Sequence, residues 1–356
     1  MRAKSLTFLE KLLAAPSPSG YEQPAQRLFR EYIAPFAKVS SDVMGNVYGF
    51  IAGQGKDLPK VMLVGHSDEI GLQVKYIDDK GFIYFAAIGG VDAHLTPGKG
   101  VNIHTEKGAL SGVIGKRPIH LMDAKDREKV VKLDAQYIDI GAKDKKEAEK
   151  LVRVGDCITF ASSFTRLLGD RVASRGLDDK AGSFVVAEVL RIVAESKKPL
   201  PVDLYGVSSV QEEIGLRGGT TSSYNVNPDI GICVEVDFAT DQPDVERKHN
   251  GDVALGNGPV LARGANINHE LFELLYSTAK KEKIAVQLTA SPRATGTDAN
   301  VMQISRNGVA TALVKLPLRY MHTPVEVASL ADLEQAAELI VAALYKIKSK
   351  EQFVPR

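Results

Sequence analysis

Two histidines and a set of carboxylates stand out in this sequence, and their types are those that hold divalent metal ions. They fall in five short segments: Gly65-His66-Ser67-Asp68-Glu69-Ile70-Gly71, Leu177-Asp178-Asp179-Lys180, Gln211-Glu212-Glu213-Ile214-Gly215, Val234-Glu235-Val236-Asp237 and Arg319-Tyr320-Met321-His322-Thr323-Pro324. Imidazole nitrogen and carboxylate oxygen are the usual donors to zinc, cobalt or manganese. Buried together without a cation, such carboxylates would be costly, and a divalent ion removes that penalty. Two ions about 3.5–4 Å apart can share one carboxylate and one water, and lower the pKa of that water to about 7. The base that takes its proton must be close without being a ligand. Adjacent residues such as Glu212 and Glu213 on a turn can divide those two roles.

Taken singly, each segment has an ordinary structural use. A histidine after a strand can be a satisfied structural residue, and a Glu-Glu pair is usually solvated charge. Asp178-Asp179 would serve as a helix N-cap with an acid in the first turn. The order and setting of all five together point to metal chemistry.

Four of the segments follow or end expected strands, and the fifth opens a helix. Strands are expected at 46–51, 60–65, 202–207, 229–234 and 309–314, and the run Val61-Met62-Leu63-Val64 reads as a strand buried on both faces. Helices are expected at 5–15, 24–34, 179–195 and 268–282, with a last one opening at Ser329 in an approximate capping box with Asp332. The carboxyl ends of strands are where an α/β sheet presents its crevice. From about 72 to 165 the texture changes to short alternating stretches separated by Gly, Pro and Asp, with a short helix near 144–152. The expected fold is therefore α/β, a mixed sheet sandwiched by helices, built from residues 1–71 and 166–356 and interrupted by a β-rich insertion at 72–165.

The 356 residues can bury a sizeable core. The 45 basic residues nearly cancel the 44 acidic ones, so no global field attracts nucleic acid or an anionic membrane. Cys157 and Cys233 are too few for a disulfide framework, and Cys233 in its apolar run reads as an inert buried thiol. Near the N-terminus Leu6, Phe8, Leu9, Leu12 and Leu13 recur at helical spacing around Glu10 and Lys11, which is not a signal-peptide pattern. No stretch approaches the roughly 18 apolar residues of a membrane span. A cytoplasmic protein is expected.

The pattern as a whole resembles the tetrahedral, or deblocking, metallo-aminopeptidases. Besides the five segments, the likeness includes Ser17-Pro18-Ser19-Gly20-Tyr21-Glu22, Pro118-Ile119-His120-Leu121 and Gly296-Thr297-Asp298-Ala299, and it extends to Val325-Glu326. The resemblance implies two metal ions per subunit, zinc or cobalt or manganese, and removal of N-terminal residues from short peptides. It implies that Asp178 bridges both ions, with His66 and Glu235 completing one site and Glu213 and His322 the other. Glu212 would be the general base, Asp68 would fix the tautomer of His66, and the Asp178–Asp179 peptide would be cis. The family usually carries Asp where Glu235 stands. Asp237, on the same side of the strand, is the competing ligand. The insertion resembles the family's PDZ-like oligomerisation module, which implies a homo-oligomer, in many members a dodecamer. His120 could act across a subunit interface, and Asp298 could line the site.

Other readings use the same residues differently. Some relatives are labelled endoglucanases, but a glycosidase needs two carboxyl groups flanking a bond and has no use for two histidines and a bridging Asp. A deacylase or non-peptide amidase would use the same metals on acylated substrates. A non-catalytic scaffold would have no need of Glu212.

Overall fold

Residues 1–355 are described by a computed structural model. The chain opens with helices α1 (Ala3–Ala14) and α2 (Gln23–Ile33), close to their expected bounds. In α1 the residues Phe8, Leu9, Leu12 and Leu13 form one apolar stripe, and all four are buried. Strands β1 (Lys38–Ser41), β2 (Val47–Ile51) and β3 (Lys60–His66) follow. The insertion then contributes β4 (Gly71–Ile77), β5 (Ile83–Ile88), β6 (Gly100–Thr105), β7 (Gly108–Gly115), α3 (Ala124–Arg127), β8 (Tyr137–Asp139), α4 (Lys145–Glu149) and β9 (Cys157–Phe160). Its six strands close into an antiparallel barrel in the order β4-β5-β8-β7-β6-β9. The short runs expected as strands near 72, 83, 101 and 113 are β4 to β7. Strands β8 and β9 carried no clear alternation, yet they close the barrel and bury Ile138, Ile158 and Phe160 inside it. The barrel core is separate from the core of the main sheet.

Beyond the barrel come β10 (Thr165–Arg166), β11 (Arg171–Ser174), α5 (Leu177–Ser196), β12 (Asp203–Ser209), α6 (Arg217–Val226), β13 (Ile230–Phe238) and α7 (Arg247–Asn250). The chain continues through β14 (Val260–Gly264), α8 (His269–Glu282), β15 (Gln287–Ser291), α9 (Asp298–Gln303), β16 (Ala310–Leu318), β17 (Glu326–Ser329) and α10 (Leu330–Leu344). Eight strands form the main sheet in the order β1-β2-β12-β3-β13-β16-β14-β15, and β10-β11-β17 form a small separate sheet. The central strands β12, β3, β13 and β16 are mutually parallel, while β2 and β14 join them antiparallel, so the sheet is mixed as expected. Helix α5 packs on one face against β3, β12 and β13, and α9 packs against β13 and β16. Layers on both faces explain why Val61, Met62, Leu63 and Val64 are all fully buried.

One close approach sets the geometry of the sheet edge. A Cβ on Gly65 would lie 2.5 Å from the backbone of Gly182, so only glycine lets the start of α5 lie against the end of β3.

Three local expectations are corrected. The strand expected to end near Val234 runs on to Phe238, which puts Glu235 and Asp237 inside it. The helix expected from Asp179 spans Leu177–Ser196 with non-helical backbone angles at Asp178 and Asp179, while the peptide between those two is cis, as the resemblance implied. Ser329 and Asp332 do not form a capping box. The Ser329 hydroxyl donates to Asp170, and Asp332 accepts the N–H groups of Gly256 and Gly258 at 2.8 Å each. Tertiary partners outcompete the local cap. Among the described residues, no helix is long and apolar enough to cross a membrane.

Candidate metal centre

The parallel strands deliver their carboxyl ends to one edge of the sheet. His66 is the last residue of β3, Glu212 and Glu213 follow β12, Glu235 lies in β13, and His322 follows β16. Asp178 reaches the same place from the start of α5. All six line one cavity of about 190 Å³.

Asp178 stands between the two histidines. Its Oδ1 lies 3.2 Å from His66 Nε2, and its Oδ2 lies 3.3 Å from His322 Nε2. Glu235 Oε1 is 3.6 Å from His66 Nε2, and Glu213 Oε2 is 3.4 Å from His322 Nε2. Glu212 Oε2 is farther from His66 Nε2, at 3.8 Å. Ligand atoms of His66, Asp178 and Glu213 all fall within 4.8 Å of one another, as do those of His66, Asp179 and Glu235. Asp179 is already engaged, since its oxygens accept the N–H of His66 at 3.1 Å and of Gly182 at 2.9 Å. It ties β3 to α5. Asp237 shares the cavity wall but pairs with Lys315, Oδ2 to Nζ 2.6 Å.

The ring nitrogens remote from this cluster are held by carbonyls. His66 Nδ1 lies 3.0 Å from the Asp68 main-chain oxygen, nearer than the 3.4 Å to the Asp68 carboxylate. His322 Nδ1 lies 3.1 Å from the carbonyl of Gly90, which belongs to the insertion. A Cβ on Gly90 would come within 2.8 Å of that same nitrogen, so a side chain there would push the ring away. The Asp68 carboxylate, beside His66 Nδ1, has further partners. It accepts the N–H groups of Glu212 at 2.9 Å and Glu213 at 3.1 Å, and the Ser19 hydroxyl at 2.6 Å.

Electrostatically the cluster is short of positive charge. Burial, with Glu235, Asp298 and Glu213 nearby and His66 opposing, pushes Glu212 up to about 9. Burial likewise raises Glu235 to about 7 and lifts Glu213 above the usual carboxylate range. Asp178 goes the other way, to about 2, because its two histidines outweigh its burial. Asp178 and Glu213 in turn lift His322 to about 11. Buried carboxylates that crowd one another in this way fit a cationic guest. Glu213 Oε1 is buried and has no hydrogen-bond partner. An orphaned carboxylate oxygen among imidazoles and carboxylates fits a divalent ion that accepts nitrogen and oxygen ligands.

Residues 45–339 match the family described as M42 glutamyl aminopeptidase. This chain belongs to that family. The peptidase is 40% identical to the lysyl aminopeptidase of Pyrococcus furiosus over 98% of its own length and 99% of that protein's. Its structure superposes on the TET aminopeptidase of a marine sediment Thaumarchaeota archaeon with a TM-score of 0.94 at 32% identity, covering 99% of both chains. The Pyrococcus horikoshii TET1 peptidase, described as assembling into a tetrahedron or a large octahedral shell, gives a TM-score of 0.85 at 32% identity, over 96% of this chain and 100% of the other. The peptidase is thus a hydrolase of peptide bonds.

Sequence reasoning gave no role to several residues that build the centre of this peptidase. Glu326 accepts the N–H of Asp178 and the N–H of His322, each at 3.1 Å, and so holds two chain segments together beneath the cluster. Glu69 is buried against Arg175 and Lys180 and also accepts the Ser17 N–H. Glu22 accepts the N–H of Gln211 at 3.1 Å. All three acids lie within the motifs named above, which was their one local signal. Lys315 had a different signal, a lone charge inside the apolar strand β16. Asp298 does not reach the cavity. It is buried behind it, with Oδ2 accepting from Ser209 at 2.6 Å. His120 is exposed on the insertion, away from the cavity.

Proposed function

We propose that this peptidase removes the N-terminal residue from short peptides, using two divalent ions and Glu212 as general base. In this reading His66, Asp178 and Glu235 hold one ion, and Asp178, Glu213 and His322 hold the other. The observation that carries it is the division of Asp178: one oxygen faces His66, the other faces His322, and each histidine has its own glutamate beside it. When bound, the ions supply Lewis-acid chemistry, acidifying a water and polarising the scissile carbonyl. Zinc, cobalt and manganese all suit the donor set.

The protein's own residues do the rest. Glu212 borders the cavity without lying as close to either histidine as the four proposed carboxylate contacts do. Its carboxylate takes the proton of the attacking water and returns it to the leaving amine. Cationic charge in the cluster would lower Glu212 from its raised position toward the range where proton exchange works near neutrality. Asp68 holds the turn that carries Glu212 and Glu213.

The proposed division of labour assigns residues 1–71 and 166–356 to catalysis and 72–165 to assembly. A separate barrel core supports it, as do Ile119 and Leu121, exposed at 57% and 71% on the insertion. With the shell-forming Pyrococcus horikoshii relative, these features favour a homo-oligomer, with a dodecamer as one form. A cytoplasmic location completes the proposal.

The test is a panel of aminoacyl chromogenic substrates with metal-stripped and reloaded enzyme. Activity should vanish on stripping, return with zinc, cobalt or manganese, and be absent on N-acetylated analogues. Glu212→Gln should lower kcat at least about 100-fold while metal binding persists. Full activity in that variant would remove the proposed base.

A further inference from the structure

The wall of the cavity holds a charge pair that the metal cluster does not use. In the register of β13 and β16, Glu235 lies opposite Lys315, and residues two apart on a strand share a face. Glu235, Asp237 and Lys315 therefore project to the same side, and all three line the cavity. Lys315 Nζ meets Asp237 Oδ2 at 2.6 Å, with the two residues 8% and 9% exposed. Around them the wall is made of Phe238, Leu313 and Met321, with the hydroxyls of Ser291 and Thr295.

We propose that the Asp237–Lys315 pair sets which N-terminal side chain is accepted, by cancelling its own charge. This rests on the aminopeptidase reading above. A basic substrate side chain could use Asp237 only by displacing Lys315, which forms no other ion pair among the described residues. An acidic side chain could use Lys315 only by displacing Asp237. The other contacts of Asp237 are its own neighbour's N–H at 3.0 Å and Thr289 Oγ1 at 3.4 Å, neither of which replaces a cation. Either exchange leaves a charge buried and unpaired. A neutral side chain packs against Phe238, Leu313 and Met321 and disturbs neither partner. The pair thus selects neutral N-terminal residues, and loss of one partner uncovers selectivity for the charge of the other.

The experiment measures kcat/KM for leucyl, glutamyl and lysyl p-nitroanilides with metal-loaded enzyme. Wild type is expected to favour leucine over both charged residues by at least about tenfold. Asp237→Asn should shift the glutamyl-to-lysyl ratio at least about tenfold toward glutamate, and Lys315→Met at least about tenfold toward lysine. The double variant should bring that ratio back to within about threefold of wild type. Each ratio is internal to one enzyme, so a general loss of activity does not enter it. The wild-type ranking needs no variant to fold. Ratios in both single variants within about threefold of wild type would overturn the pair's role, as would wild type cleaving the lysyl or glutamyl substrate as fast as the leucyl one. Cleavage of N-acetyl-leucine with none of the three anilides turned over would overturn the aminopeptidase reading itself, and the inference with it.

Discussion

The main-chain N–H of Glu212 donates to Asp68 Oδ1 at 2.9 Å, so the strand end that carries His66 also sets the turn that carries Glu212. Asp68 takes the Glu213 N–H and the Ser19 hydroxyl as well. Asp68→Asn keeps the shape but replaces one acceptor oxygen by an N–H₂ that cannot accept. Outer supports of this kind are worth about 10–100-fold in metal affinity or activity. A loss of kcat/KM in that range is expected, with the fold retained by circular dichroism. An unchanged kcat/KM would show that the turn holds itself.

Asp178 supplies one oxygen to each histidine. Asp178→Ala should therefore affect both proposed ion positions, whereas His322→Ala should affect one. Calorimetric titration of the stripped enzyme with zinc should give two ions per chain in wild type and one in His322→Ala. For Asp178→Ala, tight binding at either position should be lost. Two tight sites remaining in Asp178→Ala would argue against a bridging carboxylate.

Glu326 accepts from Asp178 and His322 at once, with both donors backbone N–H groups at 3.1 Å. Glu326→Gln turns one acceptor into a donor facing an N–H. The expected result is a fall in metal affinity of about 10–100-fold, read by competition with a chelator. If affinity holds while stability drops, Glu326 only braces the fold.

Glu69 is held at about 2 against an ordinary 4.5, because Arg175 and Lys180 more than offset its burial. Lys180 is itself pushed down to about 8 by burial, against the pull of Glu69, so it remains charged throughout the acid range. A carboxyl with a lowered pKa in the folded state adds stability above its unfolded value. That stability is lost as pH falls through 4.5 toward 2. The shift corresponds to about 3 kcal/mol. Glu69→Gln should lose stability of that order near neutral pH in urea titrations. The gap to wild type should close on acidification below about pH 4.5. A gap that stays constant into the acid range would assign the loss to packing.

Much of this protein is legible in its sequence because local patterns carry it. The continuous apolar run of β3 and the stripe of α1 follow from burial at fixed periods, and polar residues at strand ends mark the crevice edge. That marks the segments of His66, Glu213, Glu235 and His322, with Asp178 at the opening of a helix, while the choice of these residues within their segments rested on the resemblance to the metallo-aminopeptidases. The tertiary structure alone decided which of them face one another, since that depends on β12 and β13 flanking β3 and on β16 lying beyond β13. The same strand order set Asp237 beside Lys315, while packing outside the main sheet let Glu326 of β17 accept from Asp178 and His322 and brought Gly90, in the loop after β5, to His322. Short-range periodicity encodes which face of a strand is buried. It does not encode which strand lies alongside, and these pairings arise only once the sheet is assembled.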